Sequence, residues 1–196
     1  KARDIQAPGV GLGGIVPALD YLIASNRVGL GDKVKAYDDG TLNATGKHVV
    51  VIGGGDTAMD CVRTAVRQGA KSVKCLYRRD RQNMPGSQRE VFHAEEEGVD
   101  FVWLAQPEAF LGDDRVKGVR AQRVHLGMPD ATGRQVPQVI GDSHFTVEAD
   151  LAITALGFDP EDLPVLFGEP KLDVTKWGTV RINHRTIDRK STRLNS

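Results

Sequence analysis

The residues whose spacing most directly implies chemistry are Gly53, Gly54, Gly55 and Ala58, in "VVVIGGGDTAMDC". Gly53, Gly55 and Ala58 fit the pattern G-x-G-x-x-A. In such a strand-to-helix turn the first glycine permits the tight turn, the second lets a pyrophosphate approach the backbone, and the third position must be small so that helix and strand can pack. Alanine at that third position is a mild departure that widens the contact slightly. Backbone N–H groups near Asp56, Thr57 and Ala58 open the helix, and the helix dipole there favours negative charge. A tight turn with no ligand is the bland alternative for a glycine pattern alone. Here a strand precedes the turn, a helix follows and a second strand closes the unit, which is the context a dinucleotide site requires.

Counting 20 positions on from Ala58 reaches Arg78, which with Arg79 ends the second strand in "CLYRRD". Many dinucleotide folds place an acid near this position to hold the ribose 2′-hydroxyl of NAD, and an acid would repel a 2′-phosphate. Two guanidinium groups instead can make charge-assisted, bidentate bonds to that phosphate, and their planes can stack on adenine. The pattern therefore favours NADPH over NADH. Two solvated charges at a strand end is the alternative reading of the same pair.

The elements that must position these groups follow from periodicity. His48–Ile52 is a short β-branched run of the kind found in a buried parallel strand. Ala58, Cys61, Val62, Ala65 and Val66 form one helical stripe that Gly69 stops, and Ser72–Tyr77 completes a βαβ unit. Ser87 and Glu90 have capping-box spacing, predicting a helix from there to Gly98, with a third strand over Val99–Leu104. The stretch "EAFLGDDRVKGVRAQRVHLG" predicts a hairpin turning at residues 112–114, and "MPDATGRQ" a second turn, so a small antiparallel excursion interrupts the parallel pattern. Leu151–Ala155 is an apolar strand able to rejoin the sheet. Ahead of all this, Ile15–Ser25 is predicted as a helix and 33–47 as a polar connection, with a domain boundary near Thr45. The fold class expected is α/β, a doubly wound, Rossmann-like nucleotide domain with an antiparallel β excursion.

Bulk composition narrows the function classes. Lys and Arg number 26 against 26 Asp and Glu, so no global field recruits nucleic acid or an anionic membrane surface, and no run of apolar residues is long enough for a membrane span. The two cysteines, Cys61 and Cys75, have neither disulfide-framework nor metal-ligand spacing, and a reducing, cytoplasmic setting fits best. Cys61 reads as a small packed hydrophobe, and His48, His93, His125, His144 and His184 are scattered. No residue is assigned as catalytic or as a metal ligand. The beginning, "KARDIQAPGV", lacks an initiator Met and reads as a cut end.

The stretches "GGGDTAMDC", "YRRDRQNMPG", "EEEGV" and "ITALGF" closely resemble the NADPH domain of the small (beta) subunit of bacterial NADPH-dependent glutamate synthase, a flavoprotein with two dinucleotide-binding domains. The resemblance runs from about Arg3 to Ile182. In that family the NADPH domain is inserted into an FAD domain, which implies FAD-domain segments at 1–44 and 158–187 around an NADPH-binding domain at 45–157. It further implies hydride transfer from NADPH to FAD, then single-electron relay through 4Fe-4S clusters to the large (alpha) subunit, where glutamate is made. By matching positions Gly53 to Ala58 carry over to the pyrophosphate and Arg78 and Arg79 to the 2′-phosphate. Ala155, Leu156 and Gly157 resemble the crossover beside the nicotinamide.

The departures from that family are informative too. Its cluster-binding cysteine region and first FAD glycine motif do not occur in this sequence, and "IDRKSTRLNS" stands where the closing flavin motif is expected after Thr186. Residues 188–196 resemble translated adapter read-through and are read as a non-native or disordered tail. The FAD and cluster sites are thus expected largely elsewhere, and this piece alone is expected to be inactive. Related readings are the NADPH-binding part of dihydropyrimidine dehydrogenase or of a ferredoxin:NADP oxidoreductase. A non-catalytic NADP-binding module is a reading of another class.

Overall fold

The computed structural model describes residues 3–130 and 133–182. The chain divides into two compact units, Asp4–Gly157 and a second formed by Lys1–Arg3 with Phe158–Ser196. In chain order the elements are β1 (Ile15–Pro17), α1 (Ala18–Gly29), α2 (Lys35–Asp38), β2 (His48–Ile52), α3 (Asp56–Arg67), β3 (Ser72–Tyr77), α4 (Gln88–Glu96), β4 (Asp100–Trp103), β5 (Ala105–Gly112), β6 (Val116–Pro129), β7 (Gln135–Glu148), β8 (Leu151–Thr154) and α5 (Leu163–Leu166).

The first unit is built on a five-stranded sheet in the order β1-β8-β2-β3-β4, every neighbouring pair parallel. Its central strand is buried on both faces, as the unbroken β-branched run of β2 requires. Alternation divides the side chains between two cores. Val49, Val51, Val73, Cys75, Leu151 and Ile153 meet Tyr21 of α1, Met59 and Val62 of α3, and Val91 of α4. Val50, Ile52, Leu76 and Ala152 meet Phe110, Val119, Ala121 and Val147 of the antiparallel sheet β5-β6-β7. The excursion thus fills the layer that a doubly wound sheet otherwise covers with helices.

Three local expectations are corrected. Ile15 and Val16, expected to open a helix, instead pair with Ala152 and Ile153 as strand β1, and the helix starts only after Pro17. Proline biases the residue before it to extended backbone and lacks an N–H, so it suits the helix entrance and not a position inside an earlier turn. The capping box at Ser87 does not form: the Ser87 side chain makes no cap bond, and Glu90 pairs with Arg63 of α3 instead. Glu97 joins the same network, 2.8 Å from Arg63 Nη2 and 3.0 Å from Arg67 Nη2, so three ion pairs tie α3 to the end of α4. The polar connection at 33–47 contains the one-turn helix α2.

Contacts of Gln68 cross position 45. The Gln68 side-chain oxygen accepts from the Tyr21 hydroxyl at 3.0 Å and the Ala44 N–H at 2.9 Å, its amide nitrogen donates to Ser25 Oγ at 3.1 Å, and its carbonyl accepts from Thr45 Oγ1 at 2.9 Å. One side chain at the end of α3 therefore anchors α1 and the segment entering β2.

In the second unit, Asp162 caps α5 by accepting from the Val165 N–H at 3.4 Å. Arg3 pairs with Asp159 at 2.7 Å and Arg181 with Asp173 at 3.2 Å. None of its described residues is buried. His184 and the tail expected at 188–196 lie outside the described residues.

Candidate functional site

Strands β2 and β8 are sheet neighbours although about a hundred residues separate them, and from β2 the chain steps on to β3 and β4 on its other side. Such a reversal of strand order opens a crevice beyond the carboxyl ends of the strands, where ligands of open α/β sheets bind. Three predicted groups of site residues sit at the carboxyl ends of three adjacent strands. Gly53 to Ala58 follow β2, Arg78 and Arg79 follow β3, and Ala155 to Gly157 follow β8.

The three glycines do different work. Gly53 has φ +147°, and a Cβ there would lie 2.2 Å from the Ala155 carbonyl oxygen, so it admits the close crossing of β8. That crossing is fixed by the Ala155 N–H donating to the Ile52 carbonyl at 2.8 Å, while the Gly53 N–H donates to the Leu76 carbonyl of β3 at 3.2 Å. Gly54 carries the ring of Tyr77, whose Cε2 would be 2.4 Å from a Cβ. Gly55 faces open space, with no atom within 4 Å of its Cβ position. Of the three, it is the glycine that the protein's own packing does not require.

Gly55 is also the N-cap of α3, and no side chain caps that helix. The Ala58 N–H, expected to point at a ligand, instead donates to the Gly55 carbonyl at 2.9 Å, as does the Met59 N–H at 3.2 Å. This leaves the N–H groups of Asp56 and Thr57 as the first-turn donors without an acceptor inside the helix. Ala58 itself is fully buried against the sheet, as a small third residue should be. The negative charge of Asp56 is turned onto the start of α4, where its carboxylate accepts from the Ser87 N–H at 3.0 Å.

The two arginines are not equivalent. Arg78 is exposed and has no side-chain hydrogen bond or ion pair among the described residues. Arg79 is half-buried, and its Nε–H donates to the Gln135 carbonyl of β7 at 3.2 Å. Asp80, the acid beside them, is engaged by the Asn83 N–H at 2.9 Å and the Asn83 side-chain amide at 2.7 Å. On the third strand, Ala155 is 7% exposed, Leu156 packs on the second core, and Gly157 turns with φ +87°.

Sequence reasoning missed the residues that join these groups. The Tyr77 hydroxyl donates to the Asn83 carbonyl at 3.3 Å, and the Gly86 N–H donates to the Gly54 carbonyl at 2.9 Å. The loop 78–87 is thereby zipped to the glycine turn. The available signal was the turn sequence "NMPG", whose glycine must approach another backbone: a Cβ on Gly86 would lie 3.2 Å from the Gly54 oxygen. The Cys75 thiol donates to the Gly53 carbonyl at 3.4 Å, beneath the turn. Both cysteines are buried, and burial pushes the Cys75 thiol up to about 12 and the Cys61 thiol well above its ordinary range. Among the described residues no group of His, Cys, Asp or Glu could hold a metal ion, and no helix is long and apolar enough to cross a membrane.

The model of the family described as "Pyridine nucleotide-disulphide oxidoreductase" matches residues 1–191. This chain belongs to that family. Among relatives of this chain, the "Glutamate synthase [NADPH] small chain" of Azospirillum brasilense is 73% identical over 186 residues, covering 95% of this chain and 39% of that protein. The protein of the same description from Halomonas elongata is 52% identical over 157 residues, covering 80% of this chain and 33% of that one. The chain thus spans between a third and two-fifths of the length of these relatives. Among solved structures, Mycobacterium tuberculosis FprA in complex with NADPH superposes with a TM-score of 0.67 at 16% identity, over 83% of this chain and 49% of that one. At that identity the likeness concerns the fold alone.

Proposed function

We propose that this chain binds NADPH in the crevice beyond β2, β3 and β8, as the NADPH-binding part of the electron-input subunit of a glutamate synthase. The observation that carries the cofactor reading is Gly55: the N-cap of an uncapped helix, open to solvent, between a glycine turn and a pair of arginines. The pyrophosphate would rest against Gly55 and the N–H groups of Asp56 and Thr57, where the helix dipole offsets its charge. Arg78 and Arg79 would take the 2′-phosphate, and Ala155 to Gly157 would flank the nicotinamide. Asp56 and Asp80 lie nearby, and their engagement with Ser87 and Asn83 directs their charge away from the phosphates.

When bound, NADPH would supply the hydride for FAD, which with the iron–sulfur clusters would belong to the rest of the full-length subunit that serves the large (alpha) subunit. The residues of this chain bind and orient the dinucleotide, and none is assigned a proton-transfer role. The identity of 73% to a glutamate synthase small chain supports this reading over a related flavin oxidoreductase or a non-catalytic module. A chimera tests it: residues 4–157 replace the matching segment of the Azospirillum brasilense small chain, which is then combined with its large chain. The reading expects NADPH-dependent glutamate formation near the parental rate. A chimera that binds NADPH and reduces dyes but makes no glutamate would overturn the assignment of partner.

A further inference from the structure

We infer that the β6–β7 arm is a specificity element, and that Gln135 at its outer end is a positioning residue for Arg79. This inference rests on the NADPH reading above. The arm leaves the body of the antiparallel sheet beyond Val124, after a register shift between Gln122 and Val124, and a second shift lies between Leu126 and Pro129. Such irregularities twist and re-aim a ribbon. Here they bring Gln135, paired with Pro129, over the loop that follows β3.

The contacts made there are specific. The Gln135 carbonyl accepts the Arg79 Nε–H at 3.2 Å, and its side-chain oxygen accepts from the Asn83 amide at 3.3 Å. Asn83 in turn holds Asp80 at 2.7 Å and accepts from Tyr77, whose ring lies on Gly54. Gln135 is half-buried between the exposed residues Arg134 and Val136. The arm is therefore joined to the glycine turn through one continuous chain of contacts, from Gln135 through Asn83 and Tyr77 to Gly54.

The chemistry explains why an arginine needs this. A long side chain loses much rotamer freedom when it takes hold of a phosphate. Nε anchored on a carbonyl fixes the guanidinium plane, and the two terminal nitrogens stay available for a bidentate grip. Arg78, exposed and unanchored, supplies charge without that fixed plane. Through Arg79 the arm thus acts on the 2′-phosphate, which only NADP carries, so it sets the preference for NADP over NAD.

A double-mutant cycle on the 196-residue chain, with titrations of NADP⁺, NAD⁺ and 2′,5′-ADP, tests the inference. Replacing residues 127–136 by an Asn-Gly turn between the paired Leu126 and Pro137 removes the Gln135 carbonyl. This shortened arm should weaken NADP⁺ and 2′,5′-ADP by about 3- to 10-fold and leave NAD⁺ within about 2-fold, the scale of one neutral hydrogen bond lost. Gln135→Ala, which keeps that carbonyl, should leave the NADP⁺ to NAD⁺ ratio within about 2-fold of the parent. The shortened arm placed on an Arg79→Ala background should have no further effect, since the arm acts through that arginine. A shortened arm that leaves the NADP⁺ to NAD⁺ ratio unchanged, with the parent preferring NADP⁺, would overturn the inference while the cofactor reading stands. Equal losses for both dinucleotides, or full additivity with Arg79→Ala, would make the arm merely structural and overturn it as well. A parent chain that binds neither NADP⁺ nor 2′,5′-ADP would sink both.

Discussion

A Cβ placed on Gly54 would lie 2.4 Å from Cε2 of Tyr77, so the middle glycine of the turn seats an aromatic ring. The ring is 7% exposed and held by its hydroxyl, which leaves little room to yield. Gly54→Ala should destabilise the fold by about 1 to 3 kcal/mol, as overpacking does. Gly55→Ala should cost no more than about 1 kcal/mol, the scale of a lost helix N-cap preference, yet should weaken NADPH binding strongly. Thermal unfolding and cofactor titration of the two variants separate the roles. The account is contradicted if Gly55→Ala binds as the parent does.

Gln68 offers a test of how the segment before Thr45 is held. Gln68→Ala leaves the buried Tyr21 hydroxyl and the Ala44 N–H without their acceptor. The expected loss is about 1 to 3 kcal/mol in chemical denaturation, from desolvated groups left unsatisfied. Tyr21→Phe in the same background should recover part of it, because the orphaned hydroxyl is then gone.

The pairing of α3 and α4 should depend on acid. Hydrogen bonds from Arg63, foremost, and then Arg67 hold the Glu97 carboxyl below its ordinary value of 4.5. The folded value is depressed, so this contribution is fully present above that ordinary value and is lost as pH falls through the lowered one. Denaturation midpoints followed from neutral pH into acid should fall less steeply for Glu97→Gln than for the parent. Identical slopes would remove Glu97 from the account.

How much of this was legible in the sequence varies with the physics behind each feature. An unbroken β-branched run marked β2, a period-3.6 apolar stripe marked α3, and glycine- and aspartate-bearing turn sequences marked the hairpin turns, because each of these signals is local. Ile15 and Val16 misled because three residues of strand show no period, and only their long-range partner β8 reveals them. The glycine pattern located the turn, yet the task of each glycine depended on Tyr77 and Ala155, which approach from other strands. Arg79 was visible and Gln135 was not, since a backbone carbonyl 56 positions away leaves no residue-type signal.

The thiols provide a simple check of the first core. Burial raises both, Cys75 to about 12, so neither ionises near neutrality in the folded chain. Native protein at about pH 8 should resist an alkylating reagent that labels ordinary thiols, whose pKa is about 8.5. Both should react after unfolding. Rapid labelling of Cys75 in the native state would mean that β3 is not packed under α3 as described.

The central claim is that the crevice reads the 2′-phosphate, and paired titrations of the chain with NADPH and NADH test it most directly. The parent should favour NADPH, and Arg78→Ala with Arg79→Ala should lower NADPH affinity by ~100-fold or more, two charge-assisted bonds being lost, with NADH nearly unchanged. Equal affinities in the parent, or equal losses for both cofactors in the double variant, would contradict it.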